Sequence, residues 1–239
     1  MRYVSAIRVL ALTAITSIFA VSTTACAPEP NRPARESDVV SIKVVARANR
    51  PEEIALGTLY AEALVRRGQE AYLEVVEESE PRIADLEDGN AELILGCTGD
   101  LLRQMDPQLA EEHAKKLQAE RKRGELDPND GSWRDTVYQS MVASLPDRLA
   151  ASNPSNAIGC QQNGGAAVSV AKAGTTGDDL PQNIVPVFRE TAFNRHNRDT
   201  LNIVSGAISD DDLRAYYIGP KDSVSLKNRA AKLLDSYSV

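Results

Sequence analysis

Few side chains in this sequence are equipped for covalent or acid–base chemistry: three cysteines and two histidines among 239 residues. Cys26 stands directly behind the small residues Ser22-Thr23-Thr24-Ala25, which follow a basic start with Arg2 and Arg8 and an apolar stretch from Val9 to Val21. These are the parts of an export signal, and the apolar run is short for a membrane span. A thiol at the end of such a signal takes a diacylglycerol group and becomes the new N-terminus, so residues 1–25 read as a lipoprotein signal peptide and Cys26 as the lipid anchor. Thr23 replaces the usual aliphatic residue three places before the cysteine. The other outcome is ordinary cleavage near Ala25, which leaves Cys26 a free or paired thiol.

Cys97 and Cys160 are then left over, and two such cysteines in an exported chain most often pair, so Cys97–Cys160 is the expected disulfide. His113 falls on a charged helix and His196 in the turn Phe193–Asn197, neither beside a nucleophile elbow or base motif. Both read as surface histidines. Two histidines offer too few ligands for a metal centre, and Gly164-Gly165 fits no phosphate loop. No catalytic residue, metal or cofactor is expected, and Trp133, Tyr138, Tyr216 and Tyr217 read as packing residues rather than a cleft lining.

The elements that must position these residues follow from hydrophobic period. Residues 26–37, with three prolines and no apolar face, form a solvated tether. Asp38–Ala46 reads as a buried strand, Pro51 opens an amphipathic helix that ends before Gly68, Ala71–Val76 is a second strand, Pro81–Asp88 a short helix and Ala91–Leu95 a third strand. That alternation builds a parallel α/β half-sheet with right-handed crossovers. Met105–Arg123 reads as one charged helix, Ser132–Leu145 as another capped by Ser132, Ala166–Ala171 and Asn183–Phe188 as strands, and Arg198–Ser205 and Asp210–Tyr217 as the last helices, the second capped by Ser209 with its three aspartates. A net charge of −7 without a basic patch excludes nucleic acid as a partner.

Three segments carry a resemblance. Asn49–Gly68 is similar to the opening helix of the substrate-binding proteins of ABC importers for glycine betaine, choline and related osmoprotectants, with Glu52 near its start and Leu56-Gly57 in its second turn. Leu86–Leu101 resembles that family's Leu-x-x-Gly-x-x-Asp-Leu run into Glu-Tyr-Thr-Gly-Thr, here ending Gly96-Cys97-Thr98-Gly99-Asp100. Asn183–Arg189 and Leu201–Arg214 resemble its Asn-Val-Val-Pro-Val-x-Arg strand and its Leu-Asn-x-Val-Ser motif. The resemblance implies a bilobal α/β fold of the type 2 periplasmic-binding kind, with residues 38–99 and 185–239 as lobe one and 100–184 as lobe two. It implies a monomeric, membrane-anchored, extracytoplasmic receptor that hands a small-molecule solute to an ABC permease, with no enzyme activity.

Asn49, Arg50, Cys97, Thr98 and Gly99 are the expected ligand-binding positions. Two departures matter. The family's cage of aromatic rings attracts a quaternary ammonium, but Arg50 and Cys97 replace its aromatic residues and Gly96 the Glu before its tyrosine, and Arg50, if it enters the cleft, favours a carboxylate or phosphate. Between Ala171 and Asn183 a further α/β stretch is missing, so lobe two should be small and mostly helical. The alternative reading is a non-transporting envelope lipoprotein on the same scaffold with a degenerate pocket.

Overall fold

The computed structural model describes residues 41–77, 82–126, 131–157, 180–217, 222–237 and 239. The signal peptide, the tether, Cys26, Cys160 and the strand expected over Ala166–Ala171 lie outside them.

β1 (Ile42–Arg47) is rich in β-branched residues and buried on both faces, as a central parallel strand must be. Pro51 sits in the first turn of α1 (Pro51–Arg66), where its missing N–H costs nothing. Gly68 takes φ +84° just past the helix and turns the chain into β2 (Ala71–Val76). α2 (Arg82–Glu87) then leads into β3 (Leu93–Cys97). β1 pairs in parallel with β2 from Ile42–Ala71 to Arg47–Val76, and with β3 at Val44–Leu93 and Val45–Ile94. The expected half-sheet is therefore present. β5 (Ile184–Arg189) runs antiparallel to β3, from Leu93–Phe188 to Cys97–Ile184, and a three-residue β4 (Leu149–Ala151) pairs antiparallel with β5. The sheet order is β2-β1-β3-β5-β4.

The helices differ from the sequence reading in three places. β3 passes without a loop into α3 (Thr98–Met105), a helix not expected, and the charged helix begins only at α4 (Pro107–Arg123), because Asp106 caps it, accepting from the Leu109 N–H at 2.9 Å, and Pro107 cannot extend α3. In α5 (Ser132–Ala143) Gly131 holds the cap position, so Ser132 is the first helical residue rather than the cap. After α6 (Arg195–Ala207) and α7 (Asp210–Tyr217) comes an unexpected α8 (Ser223–Ser236), whose Leu226, Ala230 and Leu234 recur at four-residue spacing. The Ser209 cap on α7 is reciprocal: Ser209 Oγ accepts from the Asp212 N–H, and the Asp212 carboxylate accepts from the Ser209 N–H.

The two sheet faces bury different residues, as strand period requires. Ile42, Val44, Leu93, Leu95 and Phe188 pack under α1, α6, α7 and α8, against Leu59, Leu64, Leu201, Leu213 and Leu234. Val45, Ile94, Val185 and Val187 pack under α2 to α5, against Leu86, Leu102, Ala110, Val137 and Met141. Each fully buried leucine contributes about 1.5–3 kcal/mol. Among the described residues, those from 100 to 157 are mostly helical, as expected, lie as a layer on the sheet and add only β4 to it.

Candidate functional site

The chain leaves β1 toward one face of the sheet, into α1, and leaves β3 toward the other, into α3. The carboxyl ends of these neighbouring parallel strands therefore flank a topological switch point, the place where open α/β sheets bind ligands. Arg47–Pro51 follows one strand and Cys97–Gly99 ends the other. All five expected ligand positions belong to these two segments, at one end of the sheet.

Their side chains are not equivalent. Asn49 is exposed and Arg50 half-buried, while Cys97, Thr98 and Gly99 are buried. The first turn of α3 is closed by the chain that leads into β5. The Thr98 N–H donates to the Asn183 carbonyl at 3.0 Å, the Gly99 N–H to the Pro181 carbonyl at 3.1 Å and the Asp100 N–H to Gln182 Oε1 at 3.1 Å. Thr98 Oγ1 donates to the Pro181 carbonyl at 2.9 Å, and Gln182 Nε2 donates to the Asp100 carboxylate at 2.9 Å. A side chain at Gly99 would meet Leu180, Pro181 and Gln182 at 2.9 Å. The donors of this helix N-terminus, which elsewhere hold anions, are engaged within the protein.

A residue the sequence reading passed over closes the other segment. Glu53, in the first turn of α1, accepts from the Arg47 backbone N–H at 3.1 Å, from Arg47 Nε at 3.1 Å and from Arg47 Nη2 at 2.6 Å, with each side chain 11% exposed. Glu53, next in sequence to the Glu52 that carries the family resemblance, turns its carboxylate inward on β1. Six-residue spacing across a strand-to-helix turn has no period that singles it out.

The remaining motif residues hold elements together. Asn183 donates through Nδ2 to the Ser155 carbonyl at 3.0 Å. Ser205, of the Leu-Asn-x-Val-Ser motif, lies 3.0 Å from the Tyr60 hydroxyl and 3.3 Å from Ser152 Oγ, and burial pushes the Tyr60 phenol well above its ordinary range. Asn202 accepts from the Asn153 N–H at 2.9 Å. Cys97 is disulfide-bonded.

His113 is buried between α4 and α5 rather than on the surface, because Trp133 packs edge-on against it at 5.9 Å; His196 is exposed, as expected. His113 Nε2 lies 2.8 Å from Ser140 Oγ, a nucleophile-and-base pair in outline, but its Nδ1 has no hydrogen-bond partner and so no carboxylate orients the ring. The pair ties two helices. Trp133 donates to Glu120, Tyr138 to the Ser152 carbonyl and Tyr216 to the Ala55 carbonyl, so these three aromatics are packing residues. Among the described residues no cluster of His, Cys, Asp and Glu could hold a metal, and no helix is long and apolar enough to cross a membrane.

No protein-family model and no curated protein matches the chain. Solved structures do. The chain is similar to apo YehZ from Escherichia coli at 13% identity, with a TM-score of 0.53 over 82% of this chain and 98% of the other. It is also similar, at 10% identity and a TM-score of 0.42 over 83% and 93% of the two chains, to a TRAP periplasmic solute-binding protein from Pseudomonas putida F1 with bound D-glucuronate. A TRAP periplasmic solute-binding protein from Ochrobactrum anthropi follows at 11% identity and a TM-score of 0.37, over 83% and 80%. The fold is the periplasmic-binding-protein-like α/β fold that the sequence resemblance implies, and among the described residues those between β3 and β4 are mostly helical.

Proposed function

We propose that this chain is a lipid-anchored receptor on the outer face of the cell membrane, which presents a small polar solute of the osmoprotectant or quaternary-amine type to an ABC permease. The observation that carries the reading is the placement of Asn49-Arg50 and Cys97-Thr98-Gly99 at the switch point between β1 and β3. The order of the three family-like segments supports it. Arg50 selects for a solute with a carboxylate beside its quaternary amine, such as a betaine, over choline.

The disulfide of Cys97 is assigned to Cys160. Ile184, the strand partner of Cys97, donates its N–H to the Ala157 carbonyl, which brings the chain to within three residues of Cys160. Three residues span at most about 10 Å. This pairing leaves Cys26 for the lipid.

A thermal-shift titration of the full chain with glycine betaine, carnitine and choline tests the receptor. Ligand at about a hundred times its Kd adds about 2.7 kcal/mol and raises the melting temperature by several degrees. Silence across this panel selects the second reading, a non-transporting envelope lipoprotein with a degenerate pocket. The occupied first turn of α3 specifically favours that reading.

A further inference from the structure

The opposite end of the sheet holds a cavity of about 310 Å³, lined by Leu86, Glu87, Asp147, Arg148, Leu149, Arg189 and Thr191. It lies where β5 ends and β4 begins, beyond the amino end of β3, and shares no residue with the switch point. Arg148 is the one described non-glycine residue with positive φ, at +71°. It occupies the third position of the turn Pro146–Leu149, closed by the Leu149 N–H on the Pro146 carbonyl at 3.2 Å. Glycine is the residue suited to that position. A residue held in the left-handed region on the wall of a cavity points to a use for its side chain.

The second guanidinium is positioned from outside the cavity. Arg189 Nη1 lies 3.6 Å from the Glu92 carboxylate, and the same nitrogen lies 3.0 Å from where a Cβ at Gly89 would stand, so the Arg189 head packs closely over that glycine. Two guanidiniums alone would define an anion site. Glu87 and Asp147 add two carboxylates, while Leu86 and Leu149 add apolar wall. A bare anion would face both carboxylates, and a bare cation both arginines; a molecule carrying each charge satisfies all four.

We propose that this cavity binds a free α-amino acid, its carboxylate against Arg148 and Arg189 and its primary ammonium against Asp147 and Glu87. A primary ammonium donates hydrogen bonds to carboxylates, which a trimethylated one cannot, so the site separates amino acids from betaines.

Calorimetric titration of the full chain with L-alanine and L-leucine tests the proposal. The expected result is saturable binding, with acetate, methylammonium and glycine betaine each weaker by about tenfold or more. Arg148→Gly relieves the left-handed backbone, so it is expected to raise the melting temperature by about 2 °C while lowering affinity by about tenfold or more. Loss of binding in a stabilised variant is not misfolding. Arg189→Gln is expected to lower affinity likewise. Absence of saturable binding at millimolar amino acid overturns the proposal, as does unchanged affinity in Arg148→Gly. Equal binding of acetate overturns the amino-acid assignment. Loss of binding in Arg50→Ala with none in Arg148→Gly moves the ligand to the switch point, and so overturns this site while supporting the receptor reading.

Discussion

The two ends of the sheet are built on opposite plans. At the carboxyl ends of β1 and β3 the polar groups face one another: Glu53 takes up Arg47, and residues 181–183 take up the first three N–H groups of α3. At the far end, arginine and carboxylate side chains border an open cavity, and one backbone position is held in a conformation its residue does not prefer. Ordinary packing satisfies polar groups internally. The first end thus gains rigidity from its polar groups, whereas the second places charged residues around a cavity, with only Arg189 among them drawn toward a carboxylate outside it, and holds Arg148 in a conformation that costs stability.

Substitutions can break or sharpen this contrast. The largest effect is expected from Glu53→Ala, which removes the carboxylate from a buried guanidinium and costs about 3 kcal/mol, read as a lower urea midpoint. A cost within the surface range would mean that this end is not internally satisfied. Gly99→Ala comes next, at about 1–3 kcal/mol, since the new methyl must displace Leu180 and Pro181. Hydrogen exchange should then quicken at the Thr98 and Gly99 amides; unchanged protection would separate α3 from the 181–183 segment.

The smallest effect concerns the helical layer. Burial, with help from Lys116 and against Glu112, holds His113 below the ordinary histidine range. The unfolded chain therefore takes up a proton first as pH falls below about 6.5, and stability declines with falling pH until the native ring protonates too. His113→Gln should flatten that slope in thermal melts between pH 7 and the depressed native value. An unaltered slope would mean that other groups set it.

The sheet was largely legible because its signals are local. β-branched runs mark β1 and β5, Pro51 and Gly68 bracket α1, and β2 and α7 fall where period and caps put them. α3 was hidden by its composition: Thr98-Gly99-Asp100 reads as loop, and its helical geometry depends on partners more than 80 residues away. β4 is too short to show alternation. α8 did carry a readable stripe, Leu226, Ala230 and Leu234, behind the Asp222 cap. At the site, the family-like motifs located the right segments but not their state, since spacing says which residues meet at a switch point and nothing about which internal group occupies them first. The Arg148 outlier was invisible for a related reason, as Pro-Asp-Arg announces a turn without giving the sign of φ.

The direct passage of β3 into α3 also constrains how the molecule is made. The Thr98 hydroxyl finds its acceptor 83 residues downstream, so the opening turn of that helix has no native partners while the nascent polypeptide is still short. Its completion is a late event, tied to arrival of the final sheet strand, and such distant closures are what make folding slow. A ribosome-stalled chain ending before Pro181 would hold the first half-sheet with that turn still frayed.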